Sequence, residues 1–340
     1  MQFIPTGGFF MVSRSNRAVW FEPDGCRGFC RMICLLGVLS LPSIALAAAA
    51  AQTTFSTPEA GVAALVDALT GNNQTKLSAM LGPHGNALIS SGDPVADRHN
   101  REAFVKAYQD AHVLRREGDT QATLTIGTDE WPMPIPLKKS GYRWRFDTQR
   151  GEREILARRI GRNELSALQV CLAIVDAQDD FVALHQHRDG IIEYAAKFLS
   201  TPGQHDGLYW QSAEEEPESP LGPLLATAAL EGYPTSKAKV LAPYHGYFYR
   251  ILTKQGTDAR GEAREYLVKG HMIGGFAVIA YPARYGVSGV MSFIVNQDGL
   301  VYEKDLGKNT KAVASTMTTF NPDRSWKPVA PSPGTSAPHQ

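Results

Sequence analysis

The chain has 340 residues, and its 34 lysines and arginines balance 34 aspartates and glutamates, so its formal net charge is zero. This balance argues against nucleic acid or an anionic membrane surface as the main partner, because both attract proteins with a clear excess of positive charge. The length predicts two domains, each large enough to build its own hydrophobic core.

Residues 1–51 are predicted to form a cleavable secretory signal peptide. Arg27 and Arg31 precede an apolar run from Ile33 to Leu41, and a stretch of small residues follows it, with cleavage expected near Ala47 to Ala51. The apolar run is shorter than the ~20 residues that a bilayer-spanning helix needs. We therefore expect a periplasmic or secreted protein with no stable membrane span after cleavage.

Three of the four cysteines lie within this leader, which leaves Cys171 alone in the mature chain. A single cysteine cannot form an intramolecular disulfide, so the stability of the mature protein must come from its core. Cys171 lies on an apolar helical face and is expected to be a buried small hydrophobe.

Residues 52–150 are predicted to form an N-terminal α+β domain shaped like a cone. Thr57 and Pro58 favour the start of a first helix, and apolar residues at helical spacing predict two more before Ala111. Alternation of apolar and polar residues then predicts four strands, at 112–116, 122–126, 133–137 and 142–146. This order resembles the nuclear-transport-factor and cystatin-like folds, whose cones either hold a small molecule or are filled by packing.

Residues 151–326 are predicted to form a long connecting helix and a C-terminal antiparallel sheet packed on it. Apolar residues with a period near 3.6 predict the helix from Gly151 to about Leu184, with Arg158, Arg159 and Arg162 on its exposed side.

A short helix is predicted at 191–199 and an acidic, proline-rich loop at 211–223. Aromatic and β-branched runs between glycine turns then predict the sheet, and residues 327–340 are expected to form a disordered tail. The predicted fold class is α+β.

The segments that carry most of the sequence signature resemble the exported bacterial proteins grouped as domain of unknown function 2950. They are GRNELSALQVCLAIVDAQDDF (161–181), EYAAKFLSTPGQHDGLYW (193–210), SPLGPL (219–224) and the run from YHGYFYRIL to VYEKDLG (244–307). The resemblance extends from Phe55 to Trp326 and implies an exported protein of one family architecture, without implying a reaction. The helix and the aromatic strands also resemble the globular heads of pilins and pseudopilins, which concerns the head fold and not filament assembly.

The most enzyme-like segment is HDGLYW, residues 205–210. His205 beside Asp206 is a candidate general base, and His271 is a further candidate for the same site. The alternative function is therefore a periplasmic hydrolase centred on His205 and Asp206. The competing interpretation is a turn followed by aromatic residues that pack against the sheet.

His185, His187 and Asp189 are weak candidates for a metal site, because imidazole and carboxylate groups bind transition metals. A solvated loop is the competing interpretation, since no third His or Cys is nearby in the sequence. No metal and no cofactor are expected.

The aromatic strand after Tyr244 is the main candidate binding surface. Alternation places Tyr247 and Tyr249 on one face, and Tyr244 and Phe248 on the other. If one face is exposed, it forms with Trp210 a surface suited to a glycan, a peptide or a protein. If not, the long helix covers one face and the acidic loop the other.

The leading hypothesis is a non-catalytic binding or assembly protein of the bacterial envelope. It would use either this aromatic surface or the pocket of the N-terminal cone. Its partner is expected to be an unidentified envelope protein or glycan, and not nucleic acid.

Overall fold

The computed structural model describes residues 52–185, 190–212, 216–234 and 242–330. All of them belong to one compact unit that begins at Ala48, and the predicted signal peptide lies outside them. Within these ranges, no helix has the length and apolar character needed to cross a membrane.

Helices and mainly antiparallel strands make up an α+β fold. The helices are α1 (Pro58–Thr70), α2 (Gln74–Leu81), α3 (Asn86–Ile89), α4 (Pro94–Asp110), α5 (Thr148–Leu184), α6 (Gly222–Leu230) and α7 (Thr310–Thr316). The strands of the N-terminal half are β1 (His112–Glu117), β2 (Gln121–Ile126), β3 (Trp131–Pro132), β4 (Leu137–Ser140) and β5 (Arg143–Phe146). The later strands are β6 (Tyr247–Leu252), β7 (Lys254–Gln255), β8 (Arg264–Glu265), β9 (Leu267–Val268), β10 (His271–Met272), β11 (Ala277–Pro282), β12 (Met291–Asn296), β13 (Tyr302–Asp305), β14 (Thr319–Phe320) and β15 (Lys327–Pro328).

The N-terminal half packs its helices against an antiparallel sheet of order β1-β2-β4-β5, with β3 paired to β2. The predicted start of α1 is confirmed, because the side chain of Thr57 accepts a hydrogen bond from the Ala60 N–H at 3.1 Å. The strand predicted at 133–137 is wrong. Pro134 and Pro136 have no N–H to donate to a neighbouring strand, so β4 begins only at Leu137.

Helix α5 has 37 residues and passes along both halves of the protein. Its N-terminal part contacts α3, and its later turns pack against β11 and β12. Cys171, in these later turns, is fully buried as expected. The predicted long connecting helix is confirmed.

The C-terminal sheet has the order β15-β13-β12-β11-β6 and is antiparallel throughout. Strand β11 is buried along its whole length, with α5 and α7 both in contact with it. Lys327 and Pro328 pair with β13, so ordered structure continues beyond the boundary predicted at Trp326. Residues 331–340 of the predicted tail lie outside the described residues.

The helix predicted at 191–199 is wrong, because these residues bond to other parts of the chain. The side-chain amide of Gln178 accepts from the N–H of Ala195 at 2.8 Å and donates to its carbonyl at 2.9 Å. The Tyr194 N–H donates to the carbonyl of Met272 at 2.9 Å. In a helix, these backbone N–H and carbonyl groups would instead form hydrogen bonds within the helix.

A buried carboxylate, Asp93, joins the two halves. One oxygen accepts from the N–H groups of Val95 and Ala96, which caps α4. The other accepts from the Tyr233 hydroxyl at 2.9 Å and from the Gly246 N–H at 2.8 Å. Asp93 is fully buried, so these donors take the place of water.

Candidate ligand-binding cavity

A cavity of about 710 Å³ lies in the N-terminal half, between the helices and the sheet. Its floor is formed by buried apolar side chains from α1, α2 and the sheet region. These are Leu65, Leu77, Leu81, Ile126, Met133 and Ile135. The volume falls within the range of roughly 300–1,000 Å³ that is usual for small-molecule sites.

Small residues form part of one wall. Helix α4 presents Ala103 and Ala107, and the turn after β2 presents Gly127. The Gly127 N–H donates to the carbonyls of Ala107 and Ala111 at 3.0 and 2.8 Å, which ties the end of α4 to the sheet. These backbone hydrogen bonds fix this part of the wall. Ala103, Ala107 and Gly127 have little or no side chain to fill the cavity.

The rim is exposed and rich in positive charge. Arg158 pairs with Glu154 at 2.6 Å, and its guanidinium carbon lies 5.7 Å from the centre of the Trp131 ring. Arg162 lines the cavity one helical turn further along α5. Across the described residues, no hydrogen bond or ion pair engages Arg162.

Two further arginines of the lining are buried, with 9% of Arg101 and 7% of Arg159 exposed. Arg159 donates to the carbonyls of Ala87 and Leu88 at 2.6 and 2.7 Å, and Arg101 donates to the carbonyl of Ile89 at 3.1 Å. These carbonyls belong to the short helix α3, and the last carbonyls of a helix have no N–H partner within the helix. Sequence analysis placed Arg159 on the exposed side of α5, and that prediction is wrong for this residue.

The buried charges influence one another. Burial lowers the pKa of Arg159, and the charge of Asp97 partly offsets this effect. Burial raises the pKa of Asp97, although a hydrogen bond from the Ser91 N–H and the charges of Arg159 and Arg101 oppose the shift. With four arginines and two aspartates, the cavity lining has an excess of two positive charges.

One known protein family matches most of the chain. A family model described as "Protein of unknown function (DUF2950)" matches residues 52–329. The chain belongs to this family. No curated protein and no solved structure matches it. The matched region contains the cavity and its arginines, and the likeness to pilin heads stays a prediction.

In this DUF2950 chain, His205 and Asp206 do not form a pair. Asp206 accepts from the Lys197 ammonium at 2.6 Å and from the Thr201 N–H at 2.7 Å. Burial works against ionisation of Asp206, but these hydrogen bonds prevail and lower its pKa to about 2. The His205 ring instead stacks on the Trp210 ring, with 4.4 Å between the ring centres. Asp206 therefore bonds to Lys197 and Thr201 and not to its neighbour His205.

The third catalytic candidate, His271, does have a carboxylate partner. Its Nδ1 lies 2.8 Å from Oε1 of Glu193. The side chain of His271 is largely exposed, and neither residue lines the cavity between α4 and α5. The structure therefore does not bring this pair into the candidate cavity.

Of the three metal candidates, only His185 lies within the described residues. Its Nδ1 is 2.9 Å from the carbonyl oxygen of Phe181, and its ring stacks on the Phe181 ring. His187 and Asp189 lie outside the described residues. Among the residues that are described, no three His, Cys, Asp or Glu side chains are grouped to hold a metal ion.

The side chains of the aromatic strand are buried or partly buried on both faces, and one face meets α7 instead of the acidic loop that was expected to cover it. Arg250 donates to the carbonyl of Ala314 at 2.8 Å, and the Lys311 ammonium lies 5.7 Å from the centre of the Phe248 ring. Tyr247 is fully buried, and its hydroxyl donates to the carbonyl of Met291 at 2.9 Å. Tyr249 is partly buried, with its hydroxyl enclosed and unpaired in the described part of the chain. Trp210 is also buried. These side chains do not form an exposed aromatic strip.

The prediction that Tyr244 shares a face with Phe248 is wrong. Tyr244 and Tyr249 both line a small apolar cavity of about 120 Å³. His245 and Gly246 have φ angles of 49° and 79°, so the chain turns there before β6 begins. A turn breaks the alternation of side chains on which the prediction depended.

The arginines of the cavity were not predicted as a site from the sequence. Arg158 and Arg162 are four residues apart, and such residues lie on one face of a helix. That spacing was a usable signal. The cavity toward which this face points could be located only from the three-dimensional arrangement of α4, α5 and the sheet.

Proposed function

We propose that this protein is a non-catalytic binding protein of the bacterial envelope, and that it holds a small, largely apolar molecule in its N-terminal cavity. The observation that carries the proposal is the cavity of about 710 Å³ with its buried apolar floor and exposed polar rim. A ligand that fills this space would gain the dispersion contacts that its lining otherwise lacks.

The positions of the candidate catalytic groups support binding over hydrolysis. His205, Asp206 and His271 do not line the cavity, and Asp206 is engaged by Lys197 and Thr201. The carboxylate buried in the cavity wall, Asp97, accepts a hydrogen bond from the Ser91 backbone.

Residence in the envelope is supported by the signal-peptide pattern of the first 51 residues. N-terminal sequencing of protein recovered from a periplasmic extract tests this part of the proposal. A mature start near Ala47 to Ala51 supports export, and a chain that begins at Met1 contradicts it.

A cavity-filling variant tests the binding proposal. Ala107→Phe places a ring in the cavity wall, while Ala157→Phe makes the same change at an exposed position of α5 outside the lining. The measurement is the fluorescence of N-phenyl-1-naphthylamine, a neutral apolar probe, titrated with each protein. We expect Ala107→Phe to weaken binding at least about tenfold through lost cavity volume, and Ala157→Phe to bind like the wild type.

Circular dichroism and melting curves show whether each variant is folded. Undiminished binding by a folded Ala107→Phe variant would contradict the proposed location. Absence of probe binding by the wild type would contradict the proposed function.

A further inference from the structure

We propose that the ligand of this cavity is an amphiphile with a single acidic head group, a carboxylate, and an apolar body. This inference rests on the proposed function and specifies the chemical class of the ligand. The head would lie beside the arginines of α4 and α5, and the body would lie on the leucine-rich floor.

The lining has an excess of two positive charges. Of its four arginines, only Arg158 forms an ion pair within the described residues, with Glu154. The buried arginines Arg101 and Arg159 donate to backbone carbonyls, which satisfy N–H groups but do not cancel a positive charge, and the one carboxylate whose charge acts on both, Asp97, offsets only part of it. An anion in the cavity would supply that compensation.

The lining also contains guanidinium N–H groups that have no partner among the described residues. The Nε–H of Arg101 is buried and has no hydrogen-bond partner among the described residues, although Arg101 lines the cavity and is 9% exposed. A buried N–H without an acceptor is costly to the folded state. The guanidinium of Arg162 is available at the rim. A carboxylate can accept from one guanidinium through both oxygens.

Two carboxylates of the lining favour a ligand of low negative charge. Asp97 and Asp129 also line the cavity, and they would repel a diphosphate or another polyanion. The remaining lining is mostly apolar and includes Leu65 and Leu69 from α1 and Leu77 and Leu81 from α2. This surface suits a hydrocarbon body and offers few partners to a sugar or a peptide backbone.

The test compares three ligands with the same chain and different heads: dodecanoate, dodecanol and dodecyltrimethylammonium. The two ionic compounds are used below their micellar concentrations and dodecanol below its solubility limit, and each is titrated to displace N-phenyl-1-naphthylamine from the full mature protein. We expect dodecanoate to displace the probe at a concentration at least about tenfold lower than dodecanol, as for charge-assisted hydrogen bonds. The ammonium compound should be the weakest of the three.

Variants of α5 show whether the arginines cause the preference. Arg162→Gln should reduce the advantage of dodecanoate over dodecanol several-fold and leave dodecanol unchanged. Arg162→Lys should retain part of the advantage, because lysine keeps the charge but not the two-pronged donor geometry. The matched control is Arg153→Gln, an exposed position of α5 outside the lining, and it should behave like the wild type.

The outcomes separate this inference from the proposed function. If dodecanoate and dodecanol displace the probe equally well from the wild type, the acidic head is wrong and the apolar cavity site stands. An unchanged dodecanoate advantage in Arg162→Gln overturns the placement of the head at the rim. If the probe does not bind at all, both proposals fail.

Discussion

Gly299 has a φ of 70° in the turn between β12 and β13, where its N–H donates to the carbonyl of Asn296 at 3.0 Å. A Cβ at this position would meet no atom within 4 Å, so the cost of a side chain comes from the backbone alone. We predict that Gly299→Val lowers the free energy of unfolding by about 1–2 kcal/mol. Gly299→Asn should cost less, because asparagine tolerates positive φ. Urea denaturation measures the free energy of unfolding of both variants. Equal stability of Gly299→Val and the wild type would show that a positive φ is not required at this position.

Residues whose environment is set locally were predictable from the sequence. The cap at Thr57 and the turn at Gly299 depend on a few neighbours along the chain. Arg159 was not predictable, because the carbonyls that it satisfies belong to Ala87 and Leu88, 72 and 71 residues away. His205 and Asp206 are adjacent in sequence but have different partners, Trp210 and Lys197, so adjacency alone does not indicate that two side chains act together.

The elements with strong periodicity were also predictable, and α5 is the clearest example. The failures occurred where side chains or prolines outweigh local preference. Gln178 binds the backbone of Ala195 where a helix was expected, and the prolines after β3 interrupt the expected strand. Helix α6 was missed although Pro223 lies in its first turn, a position that proline favours.

Asp93 caps α4 and also accepts from Tyr233 and Gly246, whereas the Thr57 side chain only caps α1. We predict that Asp93→Ala lowers the free energy of unfolding by about 3 kcal/mol or more, since it removes the cap and leaves the Tyr233 hydroxyl and the Gly246 N–H buried without an acceptor. Thr57→Ala removes only an exposed cap and should cost about 1 kcal/mol. Urea denaturation of both variants measures the difference. Similar losses for the two variants would show that the hydrogen bonds from Tyr233 and Gly246 to Asp93 add little to the free energy of unfolding.

The two halves of the molecule were expected to offer two possible binding regions. The pocket of the N-terminal cone followed from element order alone, and the structure has a cavity there. Of the residues expected to form the aromatic surface of the C-terminal half, Tyr247 and Trp210 are buried, and Tyr244 and Tyr249 line a small cavity. Sequence patterns indicated that these strands are aromatic, but which face meets solvent depends on α5 and α7, which come from distant parts of the chain.

Hydrogen exchange with and without bound N-phenyl-1-naphthylamine tests most directly whether the N-terminal cavity is the binding site. A ligand raises the free energy of the local openings that expose the amides around it. We predict slower exchange in the cavity-lining turns of α4 and α5, at residues 100–107 and 155–162, and unchanged exchange in β11 and β12. Protection of the C-terminal sheet, with none around the cavity, would contradict the account.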